Sequence, residues 1–474
     1  MNVLFCASEA TPFAASGGLG DVAGSLPRAI RNRKVACRVV MPLYGDMKPE
    51  YREKLTYLAS FTVPVGWRNQ YCGVFELTHN GVIYYFLDNE YYFKRNGLYG
   101  FYDDGERFAF FSRAVLEMLF HIDFHPDIIH SNDWQTALVP VYLNLYYRHL
   151  EEFRSIKTVF TIHNIQYQGK YGMEIMEDTL AIGRSDAHLL EYDGCVNFMK
   201  GAIECADKVT TVSPSYAGEI LDPWFSHGLD GLLLQKRYKL CGILNGIDTK
   251  SYDPATDPNL AQNFDVKTVA EGKPACKKEL RTLFGLEEND QPVIAMVTRL
   301  VGHKGVDLVR HVAQDILDSG MQLVMLGSGE AAYEQFFSEL GVRNPGRAGV
   351  KIAFIPSVAR KVYAGADLFL MPSKSEPCGL SQMVALRYGT VPVVRETGGL
   401  RDSIKDSGDG IGNGFTFASY NAYDMLNACR RAKEGYDNAA GWQQLVTRAM
   451  ECDFSWAASA KTYVEMYKEV AQLW

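Results

Sequence analysis

The sequence predicts an α/β protein made of two open, doubly wound domains, and three observations carry that expectation. Strand-like and helical runs alternate on both sides of a break near residue 245, and such alternation builds parallel sheets. At 474 residues the chain is too long for one ordinary core. Polar or glycine-rich residues follow several strand ends, where ligands bind in open α/β sheets.

The first half begins with a strand over Val3–Ala7, a glycine-rich loop at Ser16–Asp21 and a helix to about Ile30. Gly18, Gly20 and Ala23 fit the dinucleotide spacing G-x-G-x-x-A, but the next strand, Val35–Met41, runs into Pro42 without the acidic residue that would hold a ribose. What remains is a loop whose backbone can approach a ligand closely. Residues 57–88 shift to short strands with turns at Gly66 and Asn80-Gly81, predicting antiparallel hairpins inserted in the first domain. The aromatic stretch Tyr91–Tyr102 suits either packing or a platform for sugar rings. A helix over Glu106–Phe120 precedes strands at Asp127–Ser131, Thr158–Ile162 and Lys208–Val212.

Past the break, residues 253–272 are polar and irregular. A second series of strands is expected at Val293–Thr298, Gln322–Leu326, Lys351–Ile355, Asp367–Met371, Val391–Val394 and Phe415–Phe417, and an amphipathic helix over Ser455–Val470 with Ser455 as its cap. The expected domains are residues 1–244 and 245–454, with a final helical segment over 455–474.

Composition narrows the function class. Hydrophobic residues at 47% and charged residues at 22% are close to average usage, which indicates neither disorder nor a membrane protein. A net charge of -8 argues against a general nucleic-acid binder while leaving room for a local basic pocket. Met1–Ala7 lead directly into an apolar strand, so no secretory leader is expected. Ten scattered cysteines without a Cys-x-x-Cys pair read as reduced thiols in a cytoplasm, with no zinc site.

Candidate chemistry gathers at the strand ends. Arg299 and Lys304 place two cations after one strand; Glu376 and the helix start at Gly379 follow another; Thr397-Gly398-Gly399 follows a third. Two cations beside backbone N–H groups describe a diphosphate site that could stabilise charge on a leaving group. Arg299 could instead make a salt bridge, and Glu376 could be an ordinary surface acid. In the first domain Asp133 and His163 stand after strands; Asp133 equally suits a helix N-cap. The chain contains no Asp-x-Asp, no phosphate-binding P-loop and no Gly-x-Ser-x-Gly elbow, so transfer without a metal is expected and cations would act in its place.

Six segments taken together resemble bacterial glycogen synthases and plant starch synthases: Ser-Gly-Gly-Leu-Gly-Asp-Val at 16–22, Ser-Asn-Asp-Trp-Gln-Thr-Ala at 131–137, Ile-His-Asn-Ile-Gln-Tyr-Gln-Gly at 162–169, Leu-Asn-Gly-Ile-Asp at 244–248, Glu-Pro-Cys-Gly-Leu-Ser-Gln at 376–382 and Glu-Thr-Gly-Gly-Leu at 396–400. The resemblance implies two Rossmann-like domains facing a deep cleft, with the last helix crossing back to the first domain. It implies transfer of glucose from ADP-glucose to the non-reducing end of an α-1,4-glucan or maltooligosaccharide with retention of configuration, and no cofactor, nucleic-acid or membrane partner. Carried over by position, Arg299 and Lys304 resemble the pair on the departing diphosphate, and Cys378, Gly379, Leu380 and Ser381 resemble its backbone cradle. Glu376 resembles the carboxylate that holds glucosyl hydroxyls, and His163 and Asp133 resemble groups beside the transferred sugar. Gly17, Gly18 and Asp21 match the loop over the phosphates, and Thr397, Gly398 and Gly399 match a donor-side turn.

Ala15 departs from that pattern, because the family usually has a lysine there. Losing a charged donor to phosphate costs ~1.5 to 3 kcal/mol, or roughly ten- to a hundredfold in affinity or rate. The segment Phe354–Tyr363 departs as well, near the expected position of the nucleotide base, so donor preference is left open between ADP-glucose and UDP-glucose. Two other readings accompany the synthase: a glucan-binding protein without turnover, motivated by Ala15, and a phosphorylase-like enzyme, which would need a lysine Schiff base to pyridoxal phosphate.

Overall fold

A computed structural model describes residues 1–472, and the chain divides into two compact units. Unit 1 comprises Met1–Val212, Ala217–Ile243 and the segment from Trp456; unit 2 comprises Ser213–Tyr216 and Leu244–Ser455. Residues 473–474 of the expected final segment lie outside the described residues. No helix among the described residues is long and apolar enough to cross a membrane.

Unit 1 is built on a nine-stranded sheet of β1 (Asn2–Cys6), β2 (Ala36–Pro42), β3 (Thr56–Val65), β4 (Arg68–His79), β5 (Val82–Asp88), β6 (Ile128–Asn132) and β7 (Lys157–Ile162), with a separate small sheet of β8 (Lys170–Tyr171), β9 (Glu191–Tyr192) and β10 (Cys195–Asn197). The large sheet is completed by β11 (Lys208–Thr211) and β12 (Leu240–Gly242), in the order β12-β11-β7-β6-β1-β2-β5-β4-β3. Seven of these strands are parallel, with β3 and β4 added antiparallel at one edge. The antiparallel hairpins expected over residues 57–88 are present, turning at Gly66 and Asn80-Gly81, but they continue the main sheet and are not an insertion in it. Val82, Tyr84, Tyr85, Phe86 and Leu87 are all buried, and a strand buried on both faces belongs inside a parallel sheet. Hence β5 pairs with β2, Val39 opposite Tyr84, and β4 follows on its far side.

Part of the aromatic stretch is packing, as its sequence allowed. Tyr92 and Phe93 are buried around the buried Arg107, whose guanidinium donates to the carbonyls of Tyr92 and Leu98 and to Asp104. Tyr91 and Tyr102 remain exposed. The helix Trp456–Ala471 lies against the helix Gly18–Arg31, and its buried Tyr467 shares a 2.6 Å hydrogen bond with Nδ1 of His130 on β6.

Unit 2 carries six parallel strands, β13 (Val293–Val297), β14 (Gln322–Leu326), β15 (Ala348–Lys351), β16 (Leu368–Met371), β17 (Val391–Arg395) and β18 (Phe415–Phe417), ordered β15-β14-β13-β16-β17-β18. β15 lies earlier than its sequence suggested, at Ala348–Lys351 and not Lys351–Ile355, and Pro356 then opens the helix Pro356–Gly365. Proline fits the first helical turn and holds the residue before it extended. Phe354 is left 80% exposed beyond the strand end. The polar stretch after residue 253 also shortens, since the helix Val269–Phe284 begins there and is capped by Gly285 in the left-handed conformation that glycine favours. Within that stretch the buried Asp257 accepts hydrogen bonds from Tyr388 (2.6 Å) and Arg360 (3.1 Å), so its polar residues are docked.

Candidate active site

Each sheet has one place where the chain reverses its direction of winding, and an open α/β sheet offers its ligand crevice there. In unit 2 that point lies between β13 and β16. A pocket of about 150 Å³ sits at their carboxyl ends, lined by Thr298, Lys304, Ser373, Glu376 and Gly379–Ser381 among others. Lys304 Nζ donates to Glu376 Oε2 at 2.7 Å, and Ser373 Oγ donates to the same oxygen at 3.0 Å. Glu376 is only 7% exposed, so it is a paired carboxylate and not a surface acid. Both bonds fall on Oε2, and none of the described residues bonds Oε1. Arg299 is exposed, with no ion pair or hydrogen bond to its guanidinium among the described residues.

The loop that carries Glu376 is fixed from below. Gly399 N donates to the carbonyls of Glu376 (3.1 Å) and Pro377 (3.2 Å). A side chain at Gly398, whose φ is +45°, would come within 1.9 Å of the Glu376 carbonyl, and one at Gly399 within 2.0 Å of the Cys378 carbonyl. These two glycines are buried beneath the loop, as is Thr397. Buried Gln382, a residue the sequence did not single out, donates to the carbonyls of Cys378 (3.0 Å) and Gly379 (2.9 Å). Burial pushes the Cys378 thiol up to about 12, so it stays protonated and packs the turn.

In unit 1 the reversal falls between β1 and β6. β6 is followed by Asp133 at φ 56° and ψ 179°, a backbone region that costs a non-glycine residue about 1–3 kcal/mol. The conformation turns its carboxylate toward β7: Oδ1 accepts from His163 N at 2.7 Å. The side chain does not cap the following helical turn. Burial raises the Asp133 carboxyl to about 7, against the lowering effect of the His163 and Asn164 amides. His163 Nε2 meets Asn132 Oδ1 at 2.9 Å, and Asn132 Nδ2 donates to the Cys6 carbonyl at 3.0 Å. That network assigns the proton to Nε2 and leaves Nδ1 as an acceptor. Burial holds His163 down at about 3, so the ring is neutral at physiological pH.

The glycine-rich loop has an anchor that was not visible in its own sequence. Glu9, 2% exposed just after β1, accepts from Ser16 N (2.9 Å), Ser16 Oγ (2.6 Å), Gly20 N (2.9 Å) and Tyr99 OH (3.1 Å). Gly17 and Gly18 are left exposed at the crest, with Ala15 exposed beside them. Asp21 is exposed in the first helical turn, its carboxyl raised by desolvation and by Glu9. Beyond β7 a second pocket, of about 420 Å³, is lined by Trp134, Gln166, Tyr167, Gln168, Lys170 and His227 with Gly169. The signal that could have found Glu9 and Trp134 is their place within three residues of the ends of the strands that flank the switch point.

The starch synthase catalytic domain matches residues 2–235, and the glycosyl transferases group 1 family matches residues 283–444. The chain is 52% identical to the glycogen synthase of Geobacillus thermodenitrificans, across 99% of this chain and 98% of that protein. It is 48% identical to the glycogen synthase of Bacillus cereus strain Q1 over the whole of both chains. Among solved structures it resembles the catalytic domain of Starch Synthase IV from Arabidopsis thaliana bound to ADP and acarbose, with a TM-score of 0.89 and 35% identity over 99% of each chain. A sucrose-phosphate synthase from Thermosynechococcus elongatus, at 16% identity and a TM-score of 0.61 over 99% of this chain and 98% of its own, shares the fold. With two family matches and relatives near half identity along its full length, the chain belongs to the glycogen and starch synthase family of glycosyltransferases.

Proposed function

We propose that this protein transfers glucose from ADP-glucose to the non-reducing end of an α-1,4-glucan, with retention of the anomeric configuration and without a metal. The observation that carries the reading is the Lys304–Glu376 pair, 2.7 Å apart in one pocket at the switch point of unit 2. A sugar nucleotide presents a diphosphate next to a polyhydroxyl ring, and a cation beside a carboxylate complements that junction. Lys304 and Arg299 stabilise charge developing on the leaving diphosphate, assisted by the amides of Gly379, Leu380 and Ser381. Glu376 accepts from glucosyl hydroxyls through Oε1. Thr397, Gly398, Gly399 and Cys378 hold the loop in place.

The Ser16–Gly20 loop offers the Gly17 and Gly18 backbone to the phosphates, with Asp21 and Ala15 at its edges. His163 and Asp133 face the transferred sugar: a neutral imidazole polarises a hydroxyl without repelling the positive charge that gathers at C1. The bond from C1 to the diphosphate oxygen breaks while the acceptor O4 bonds to C1 on the same face. The acceptor proton passes to the leaving diphosphate oxygen. The pocket lined by Trp134 and Tyr167 holds the acceptor, since aromatic faces stack on sugar rings. A cytoplasmic location belongs to the same reading and is supported by ten cysteines that are all free thiols.

A donor panel tests the proposal. The purified protein is given ADP-glucose or UDP-glucose with a maltooligosaccharide, and both released nucleotide and product length are followed. Glucan-dependent ADP release with elongation by single glucosyl units is expected; ADP release that does not depend on added glucan overturns the reading.

A further inference from the structure

The chain crosses from unit 1 to unit 2 and back within a few residues. After Val212 it contributes Ser213–Tyr216 to unit 2 and returns at Ala217. This strap is tightly anchored. The buried Ser213 donates through Oγ to the Pro377 carbonyl at 2.7 Å and accepts from Tyr216 N at 3.1 Å. Ser215 donates to both carboxylate oxygens of Asp402, through N at 2.8 Å and Oγ at 2.6 Å. Asp402 lies on the helix Gly398–Ser403, whose Gly399 N also donates to the Pro377 carbonyl. The backbone one residue after Glu376 is thus gripped from two sides, by the strap and by a helix that is itself tied to the strap.

We infer that Ser213 and Asp402 are positioning residues, which hold the Glu376–Pro377 backbone so that Glu376 and the Gly379–Ser381 amides face the donor. Neither residue touches the donor in this assignment; both act through Pro377 and Gly399. The strap follows β11, which ends at Thr211. A displacement of about 1 Å in a positioning element can cost 10²-fold in rate, which gives this small segment its leverage. The inference rests on the proposed donor role of the Glu376 loop.

The test compares Ser213→Ala, Ser215→Ala and Ser215→Thr with the wild type. Loss of one such hydrogen bond is expected to raise KM for ADP-glucose and Kd for ADP by about fivefold, with KM for maltooligosaccharide unchanged and with Ser215→Thr restoring both. A purely structural role would lower kcat together with the melting temperature and leave both donor constants where they were; that result overturns the inference, as does a Ser215→Thr variant no better than Ser215→Ala. Calorimetry of ADP binding separates the two levels of the reading. A wild type that binds ADP but does not elongate glucan overturns the transfer reading, while the strap is still decided by ADP affinity. A wild type that does neither overturns both.

Discussion

The two switch points solve one problem, placing polar groups at the end of a parallel sheet, by opposite electrostatic means. In unit 2 the carboxylate of Glu376 is charge-paired with Lys304, and Arg299 stands exposed nearby. In unit 1 no cation pairs with Asp133 or His163 among the described residues; backbone amides and the Asn132 side chain hold them, and burial drives both toward their neutral forms. A charged site suits a diphosphate, and a neutral hydrogen-bonding site suits a sugar ring. On this view a variant in unit 2 should act through charge, and one in unit 1 through geometry or pH.

Lys304→Ala should have the largest effect. It removes the cation from a nearly buried carboxylate and from the proposed diphosphate contact. Losing one preorganised donor to charge that develops in the transition state costs about 2.7–4 kcal/mol, so kcat/KM for the nucleotide sugar should fall on the order of 10²- to 10³-fold in steady-state assays; a loss under tenfold would break the contrast between the two sites. Glu9→Gln should come next. One of its oxygens becomes an amide nitrogen that cannot accept from Ser16 or Gly20, and charge-assisted bonds of this kind are worth about 1.5–3 kcal/mol. We expect a roughly tenfold or greater loss in kcat/KM, with Glu9→Asp recovering less than full activity because the shorter side chain cannot span Ser16 and Gly20 together.

These effects also show why parts of the site were legible in the sequence and others were not. Most strands of the two large sheets were readable because buried parallel strands are short apolar runs, β12 and the span of β15 excepted, and Lys304, Glu376, Asp133 and His163 stood out as polar residues in the loops that follow strands. Residues whose partners are distant in sequence were silent: Glu9 accepts from Tyr99 across 90 positions, Gln382 donates to Ser403 Oγ across 21, and Ser213 bonds Pro377 across 164. The pairing of β5 with β2 was missed for a related reason, since a local hairpin pattern does not state which outer strand continues the sheet. Ala15 was legible only as a departure. It packs its Cβ where a side chain on Gly20 would sit, 2.4 Å away, and its exposure leaves room for a longer side chain. Ala15→Lys should therefore tighten ADP-glucose binding about tenfold, read as KM or by calorimetry with ADP; an unchanged donor constant would remove the missing lysine from the account.

Asp133→Asn should have the smallest effect on rate and the clearest one on pH. The Asn carbonyl can still accept from His163 N, so transfer at neutral pH should stay within about twofold. Stability should respond differently. The folded carboxyl titrates near 7, above its ordinary value near 3.8, because burial disfavours the charged form. Between those two values the folded state binds more protons at this site than the unfolded state does. Its contribution is therefore fully present below the unfolded value and is lost as pH rises through about 7. Chemical denaturation at pH 5 and pH 8 should show the wild type losing more stability over that interval than Asp133→Asn, which has no proton to release. Equal losses in the two proteins would mean that Asp133 is already ionised in the fold, and unit 1 would then be a charged site like unit 2.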